Sequence, residues 1–452
     1  MSAVSADSST SGLSKSLRSR HVTMISIGGI IGAGLFVGSS AAIAAVGPAI
    51  IVSYLLAGLV MLLVMRMLSE MACAHPGVGS FTEYARIGLG NWAGFITGWL
   101  YWYFWVVVVA IEAIAGASIV AQWIPLPQWQ VGLGLMAILT VVNLMSARSY
   151  GEFEFWFSSI KVAAILSFIL ISAGYLIGFS SGAQGLSNLT AHGGFMPHGI
   201  VSVLAGITTV IFSLIGAEIA IIAAAESNES ARTISRLTVT ILVRILLFYV
   251  GSIFLIVMVL PWIDIKPGFS PFVAAMNRIG IPGAGFIMNI IVLTAVLSCL
   301  NSGVYVTSRV LFTLAARGDA PQSMVKLSAS KVPARAILIG SSLGYAAVIT
   351  AVISPSVVFA FLLNTSGAIM LIVYLIVALA QIRHRNTQTP AAVQGLTVRM
   401  WLFPYASWFV IAAIVAVLAA MAFTPDLASQ LYASLFCAGV VWVAYLLRRR
   451  IT

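Results

Sequence analysis

Four glycines stand in seven residues, Gly28-Gly29-Ile30-Ile31-Gly32-Ala33-Gly34, in the middle of an apolar run. Each costs about 1 kcal/mol relative to alanine inside a helix, and lipid offers a weakened backbone no alternative partner. Unwound here, the amides of Gly29, Ile30, Gly32, Ala33 and Gly34 make a place for a carboxylate. The positive end of the half-helix beginning near Leu35 adds to it. The same glycines also suit close helix packing, because Gly28 and Gly32 lie four residues apart.

A second interruption, Phe212-Ser213-Leu214-Ile215-Gly216-Ala217-Glu218, has the complementary chemistry. Carbonyls freed by a break there accept an ammonium group. Glu218 lies within an apolar segment, where a carboxylate costs at least a few kcal/mol unless paired or protonated. It either serves the site or bridges helices in its protonated form. Glu112, in Val109-Ala110-Ile111-Glu112-Ala113, has no cation nearby in sequence and either receives an amine or cross-links helices. Glu226 and Glu229 lie nearer the interface, solvated or paired with Arg232.

Lys161 sits in Phe157-Ser158-Ser159-Ile160-Lys161-Val162-Ala163. Buried, it can gain and lose a proton during a conformational cycle; at the interface, it snorkels to water. Its apolar neighbours on both sides favour burial. Ser298-Cys299-Leu300-Asn301-Ser302 brings polar groups into another apolar stretch. They either line a cavity or hydrogen-bond adjacent helices, and packing is the better account.

Positioning these residues is the task of a membrane-embedded chain. Of 452 residues, 61% are hydrophobic and 8% charged, against roughly 45 to 50% and about 25% in soluble domains. Spanning about 30 Å of hydrocarbon takes roughly 20 apolar residues, and about twelve segments qualify. They run over 22–46, 48–74, 92–123, 129–146, 155–177 and 199–225, then 237–262, 284–315, 334–354, 357–381, 401–423 and 428–447. The first is too long for a signal h-region and has no small-residue cleavage site, so it is expected to be retained.

The net charge of +11 falls almost wholly on one side of this arrangement. Lys15, Arg18 and Arg20 precede the first segment, Arg66 and Arg86 fall near the link from the second to the third, Arg148 lies between the fourth and fifth, and Arg232, Arg236 and Arg244 follow the sixth. Later come Arg309, Arg317, Lys326, Lys331, Arg335, Arg383, Arg385 and Arg399, with Arg448 to Arg450 at the end. Only Lys266 and Arg278 fall opposite. The positive-inside rule then puts both termini in the cytoplasm, and nucleic acid is not needed to explain the charge.

Residues 1–20 read as a flexible cytoplasmic tail. The two interrupted segments are five segments apart, which suggests five-helix repeats of inverted topology over 21–180 and 195–385, with two further helices over 399–448. Cys73, Cys299 and Cys437 have neither metal-ligand nor pairing spacing. No P-loop, nucleophile elbow or dinucleotide fingerprint is present, so no cofactor, metal or enzymatic activity is expected.

Several stretches together carry a resemblance. They are Ser19-Arg20-His21-Val22-Thr23-Met24, Gly34-Leu35-Phe36-Val37-Gly38-Ser39-Ser40, Gly98-Trp99-Leu100-Tyr101-Trp102 and Tyr150-Gly151-Glu152-Phe153-Glu154-Phe155-Trp156. To these add Gly216-Ala217-Glu218-Ile219, Ala223-Ala224-Ala225-Glu226-Ser227 and Arg317-Gly318-Asp319-Ala320-Pro321. Over nearly its whole length the chain resembles the amino acid permease family of the amino acid, polyamine and organocation superfamily, and within it the bacterial 4-aminobutyrate (GABA) permeases.

The resemblance implies an all-α, LeuT-like fold of twelve transmembrane helices: ten in two inverted repeats, with helices 1 and 6 discontinuous, and two peripheral. It also implies proton-driven uptake of a small amino acid across the bacterial inner membrane, with exchange and small α-amino acids as alternatives. By position, the first glycines match the family's carboxylate site and the segment-six break its amine site. Lys161 matches a lysine proposed in proton-coupled relatives to stand where sodium-coupled ones bind sodium. The implied partners are the amino acid, protons and the bilayer; oligomeric state stays open.

Overall fold

The computed structural model describes residues 31–75, 80–145, 150–179, 185–218 and 240–451. The expectations for Gly28, Gly29, Ile30, Arg148, Glu226, Glu229 and Arg232 concern positions outside the described residues.

Every regular element among the described residues is helical. Among the described residues, nine helical stretches are long and apolar enough to cross a membrane, and two shorter apolar helices accompany them. The first stretch, Gly34–Ala74, covers the second expected segment and residues 34–46 of the first. It opens with a wide turn at Gly34–Gly38, continues as α1 (Ser39–Val46), tightens at Gly47–Ala49 and resumes as α2 (Ile50–Ala74). Pro48, which has no amide hydrogen to donate, marks the bend between α1 and α2.

Next come α3 (Phe81–Leu89), α4 (Asn91–Val120), α5 (Gln128–Met145), α6 (Tyr150–Gly174) and α7 (Gly199–Leu214). After the gap follow α8 (Ser252–Val259), α9 (Pro271–Ile279), α10 (Ala284–Ala316), α11 (Ala334–Thr350) and α12 (Pro355–Thr387). The short α13 (Pro390–Gln394) leads to α14 (Tyr405–Ala422) and α15 (Pro425–Ile451).

The helix α4 is apolar on every face, the pattern of a helix with no solvent side. It packs against α5, α10, α11 and α12, and nearly all its residues are buried. By contrast α15 leaves Phe436, Val440, Val443 and Leu447 exposed, the outward face of a helix in lipid. At 33 residues each, α10 and α12 reach about 50 Å at 1.5 Å per residue, past the hydrocarbon on at least one side.

Polar clusters tie the arginine-rich helix ends together. Buried Glu70 accepts from Gln381 Nε2 at 2.9 Å, from Arg385 and from the Met400 amide, joining α2 to α12 and the approach to α14. Asp319 accepts from Arg86 at 2.5 Å and from Arg448, joining α3, the end of α10 and α15. Arg244, expected after the sixth segment, is buried, at 2% exposure, just before the Ile245–Gly251 turn.

α7 and α12 meet backbone to backbone, because a Cβ on Gly367 would lie 2.1 Å from the Thr208 carbonyl oxygen. Gly367→Ala must push the helices apart, an overpacking worth about 1 to 3 kcal/mol. A clear fall in the thermal unfolding midpoint of the detergent-purified protein is expected; an unchanged midpoint would show that this contact is not tight.

Candidate functional site

Helix α7 ends where the sequence suggested a break. Its last backbone bond, Ile215 N–H to the Ile211 carbonyl, measures 3.2 Å; Ile215 then turns extended, and Gly216 takes φ +106°. Side chains with a Cβ rarely adopt that value, so a glycine is needed here. The chain is thereby freed from helical bonding between Leu214 and Ala217.

Glu218 follows at once and is fully buried. Its Oε2 accepts from the Gly216 amide at 2.9 Å and its Oε1 from the Tyr101 hydroxyl at 3.1 Å, while the Tyr374 hydroxyl lies 3.5 Å from Oε2. A carboxylate without water needs such donors. They come from the break itself, from α4 and from α12.

The described start of the first helix has a similar construction. Residues 31 and 32 are not helical, so the Ala33 amide has no helical acceptor. It donates to Glu112 on α4, with both carboxylate oxygens at 3.0 Å. A Cβ on Gly32 would stand 2.5 Å from Glu112 Oε1 and 2.7 Å from Cys299 Sγ. One on Gly34 would stand 2.9 Å from Ser213 Cα and 3.0 Å from the Phe212 ring.

Gly32, Ala33, Gly34, Glu112, Phe212 and Ser213 thus meet in one place, where the start of one helix touches the end of α7 through a glycine. Gly216, Ala217 and Glu218 continue directly from it along the chain. Asn301 is tied elsewhere: its Oδ1 accepts from Asn143 on α5 at 2.8 Å, a helix-to-helix bond of the packing kind.

Lys161 is fully buried in α6. Its Nζ donates to Ser298 Oγ on α10 at 3.0 Å and lies 3.6 Å from Glu154 Oε1. Glu154, 1% exposed, also accepts from Ser298 at 2.7 Å, from Ser302 at 3.2 Å and from Ser158 at 3.3 Å. A buried ion pair needs this kind of hydrogen bonding to offset its desolvation. Ser298 relays Lys161 to Glu154, and its neighbour Cys299 faces Gly32. One turn of α10 therefore touches both the lysine pair and the first break, which gives Ser298 a wider part than simple packing.

Three partners were not among the expected site residues. Glu154 sits seven residues before Lys161, on the same helical face with Ser158 between them, and that spacing was the available signal. Tyr101 and Tyr374 reach Glu218 from 117 and 156 residues away, and no local pattern marks them.

Residues 21–452 match the amino acid permease family. The chain is 48% identical to the gamma-aminobutyric acid permease of Bacillus subtilis, over 98% of this chain and 95% of that one. It is 46% identical to the gamma-aminobutyric acid permease of Escherichia coli, over 90% and 88%. The aromatic amino acid transport protein AroP of Corynebacterium glutamicum is 39% identical, over 88% and 87%. With its apolar helices, this chain belongs to the amino acid permease family and is a multi-pass membrane transporter, not an enzyme.

Proposed function

We propose that the chain imports 4-aminobutyrate, or a related ω-amino acid, by proton symport across the bacterial inner membrane. In this reading twelve helices span the membrane, ten of them in two inverted repeats, and both termini are cytoplasmic. The observation that carries it is the Ala33 amide, which already holds a carboxylate, that of Glu112. Relatives named as gamma-aminobutyric acid permeases, at 46% and 48% identity, support the substrate.

The substrate carboxylate takes the place of Glu112 on the Ala33 amide, and the same hydrogen bonds are re-formed with a new acceptor. Glu112, released, faces the substrate ammonium together with the carbonyls around Ser213 to Gly216. Glu218 holds the second break open through the Gly216 amide and carries further negative charge at the cationic end.

Lys161 and Glu154 carry the coupling proton. Protonating Glu154 would leave Lys161 a lone buried cation, which is costly, so the two protonation states favour different arrangements of α6 against α10. Because Ser298 and Cys299 are adjacent, that shift reaches Gly32.

Labelled 4-aminobutyrate uptake into proteoliposomes tests the whole: accumulation should need an imposed inward proton gradient, and accumulation without one would contradict symport. Lys161→Ala should abolish gradient-driven accumulation while exchange of internal for external substrate partly survives; unchanged accumulation would remove Lys161 from the coupling. Glu112→Gln keeps an acceptor but loses the charge facing the ammonium. Its half-saturating substrate concentration should rise about tenfold or more, the effect of one charged hydrogen bond, and an unchanged value would place Glu112 outside the site.

A further inference from the structure

A cavity of about 210 Å³ lies on the arginine-rich side of the described residues, between α3, α4 and the end of α10. Tyr101, Tyr305, Arg309, Thr313, Arg317 and Asp319 are among the residues around it. Tyr101 is the wall it shares with the broken-helix site, since its hydroxyl donates to Glu218 on the other side.

The charges around this cavity are not equally satisfied. Arg86 pairs with Glu83 at 3.0 Å and with Asp319 at 2.5 Å, Arg317 pairs with Glu83, and Arg448 also pairs with Asp319. Arg309 has no carboxylate partner among the described residues. Its guanidinium carbon lies 4.9 Å from the centre of the Tyr305 ring, and its Nε and Nη1 are closed from solvent without an acceptor. A buried N–H left unmade costs more than an ordinary bond contributes, and on a guanidinium the missing acceptor is best supplied by an anion. The planar fork of guanidinium donors fits the two oxygens of a carboxylate.

We propose that this cavity is a release site for the transported amino acid, with Arg309 holding its carboxylate after it has passed Tyr101. The proposal rests on the transport reading above and on its orientation, which makes this side cytoplasmic. The carboxylates at the rim are already paired, so the site selects for the acid group and not the amine. At about 30 Å³ per water in the liquid, the cavity has room for several waters or for one small amino acid. An amino acid bound here on the cytoplasmic side occupies the exit, so internal substrate slows further uptake.

Labelling of Arg309 by phenylglyoxal in the detergent-purified full chain, read by peptide mass spectrometry, tests the site without needing transport. Butyrate and 4-aminobutyrate should both protect Arg309, and butylamine should not. Protection by butyrate alone, protection by neither acid, or stronger protection by inorganic phosphate would overturn the proposal.

Counterflow in proteoliposomes of known orientation gives the second measurement. Arg309→Gln should raise the ratio of cytoplasmic to external half-saturating 4-aminobutyrate about tenfold, the lower range for a lost charged hydrogen bond, and Arg309→Lys should restore much of it. A ratio unchanged in Arg309→Gln would overturn the site. A wild-type chain that carries no 4-aminobutyrate would instead refute the functional reading, and the labelling would then decide the site alone.

Discussion

The hydrogen bond from the Ala33 amide to the Glu112 carboxylate is the contact on which the rest of this structure turns. A carboxylate in a membrane interior must find donors or lose its charge, and a helix amide without an acceptor is equally costly. Here each supplies what the other lacks. The same exchange recurs at the second break, between the Gly216 amide and Glu218. The start of one helix and the end of α7 thereby have these buried amides satisfied, where a glycine lets the two touch.

A bond of that kind is strong enough to hold the resting arrangement and simple enough to exchange. In the proposed cycle the arriving carboxylate takes an acceptor position that the protein has kept filled, so the number of buried hydrogen bonds is maintained and only their owner changes. In the same proposal the lysine pair carries the coupling proton: Lys161 and Glu154 are held together through Ser298, and a proton added there alters that arrangement. α10 carries the consequence, because Ser298 and Cys299 are consecutive on it while one faces the pair and the other faces Gly32.

Much of this was legible in the sequence because membrane chains penalise exceptions. Glycines clustered in an apolar run, a lone Glu112 and a lone Lys161 stand out against their neighbours, and Gly32, Gly34, Glu112 and Lys161 all lie in close contacts between elements. The break at Gly216 could be read for the same reason. Partners were harder to see. Tyr101 and Tyr374 are ordinary aromatic residues until the fold brings them to Glu218. Glu154 fell just outside the expected segment, since helix ends are soft in sequence. The burial of Arg244 follows from tertiary packing that no local pattern encodes. Asn301 looked like Ser298 in sequence, yet one bonds to α5 and the other to the lysine pair.

The claim that the Ala33 amide serves first Glu112 and then the substrate is open to one direct observation, an experimental structure of the full chain with 4-aminobutyrate bound. The account predicts the substrate carboxylate within hydrogen-bonding distance of the Ala33 amide, with Glu112 withdrawn toward the substrate ammonium. A structure in which 4-aminobutyrate is bound while Glu112 still holds both bonds to Ala33 would contradict it.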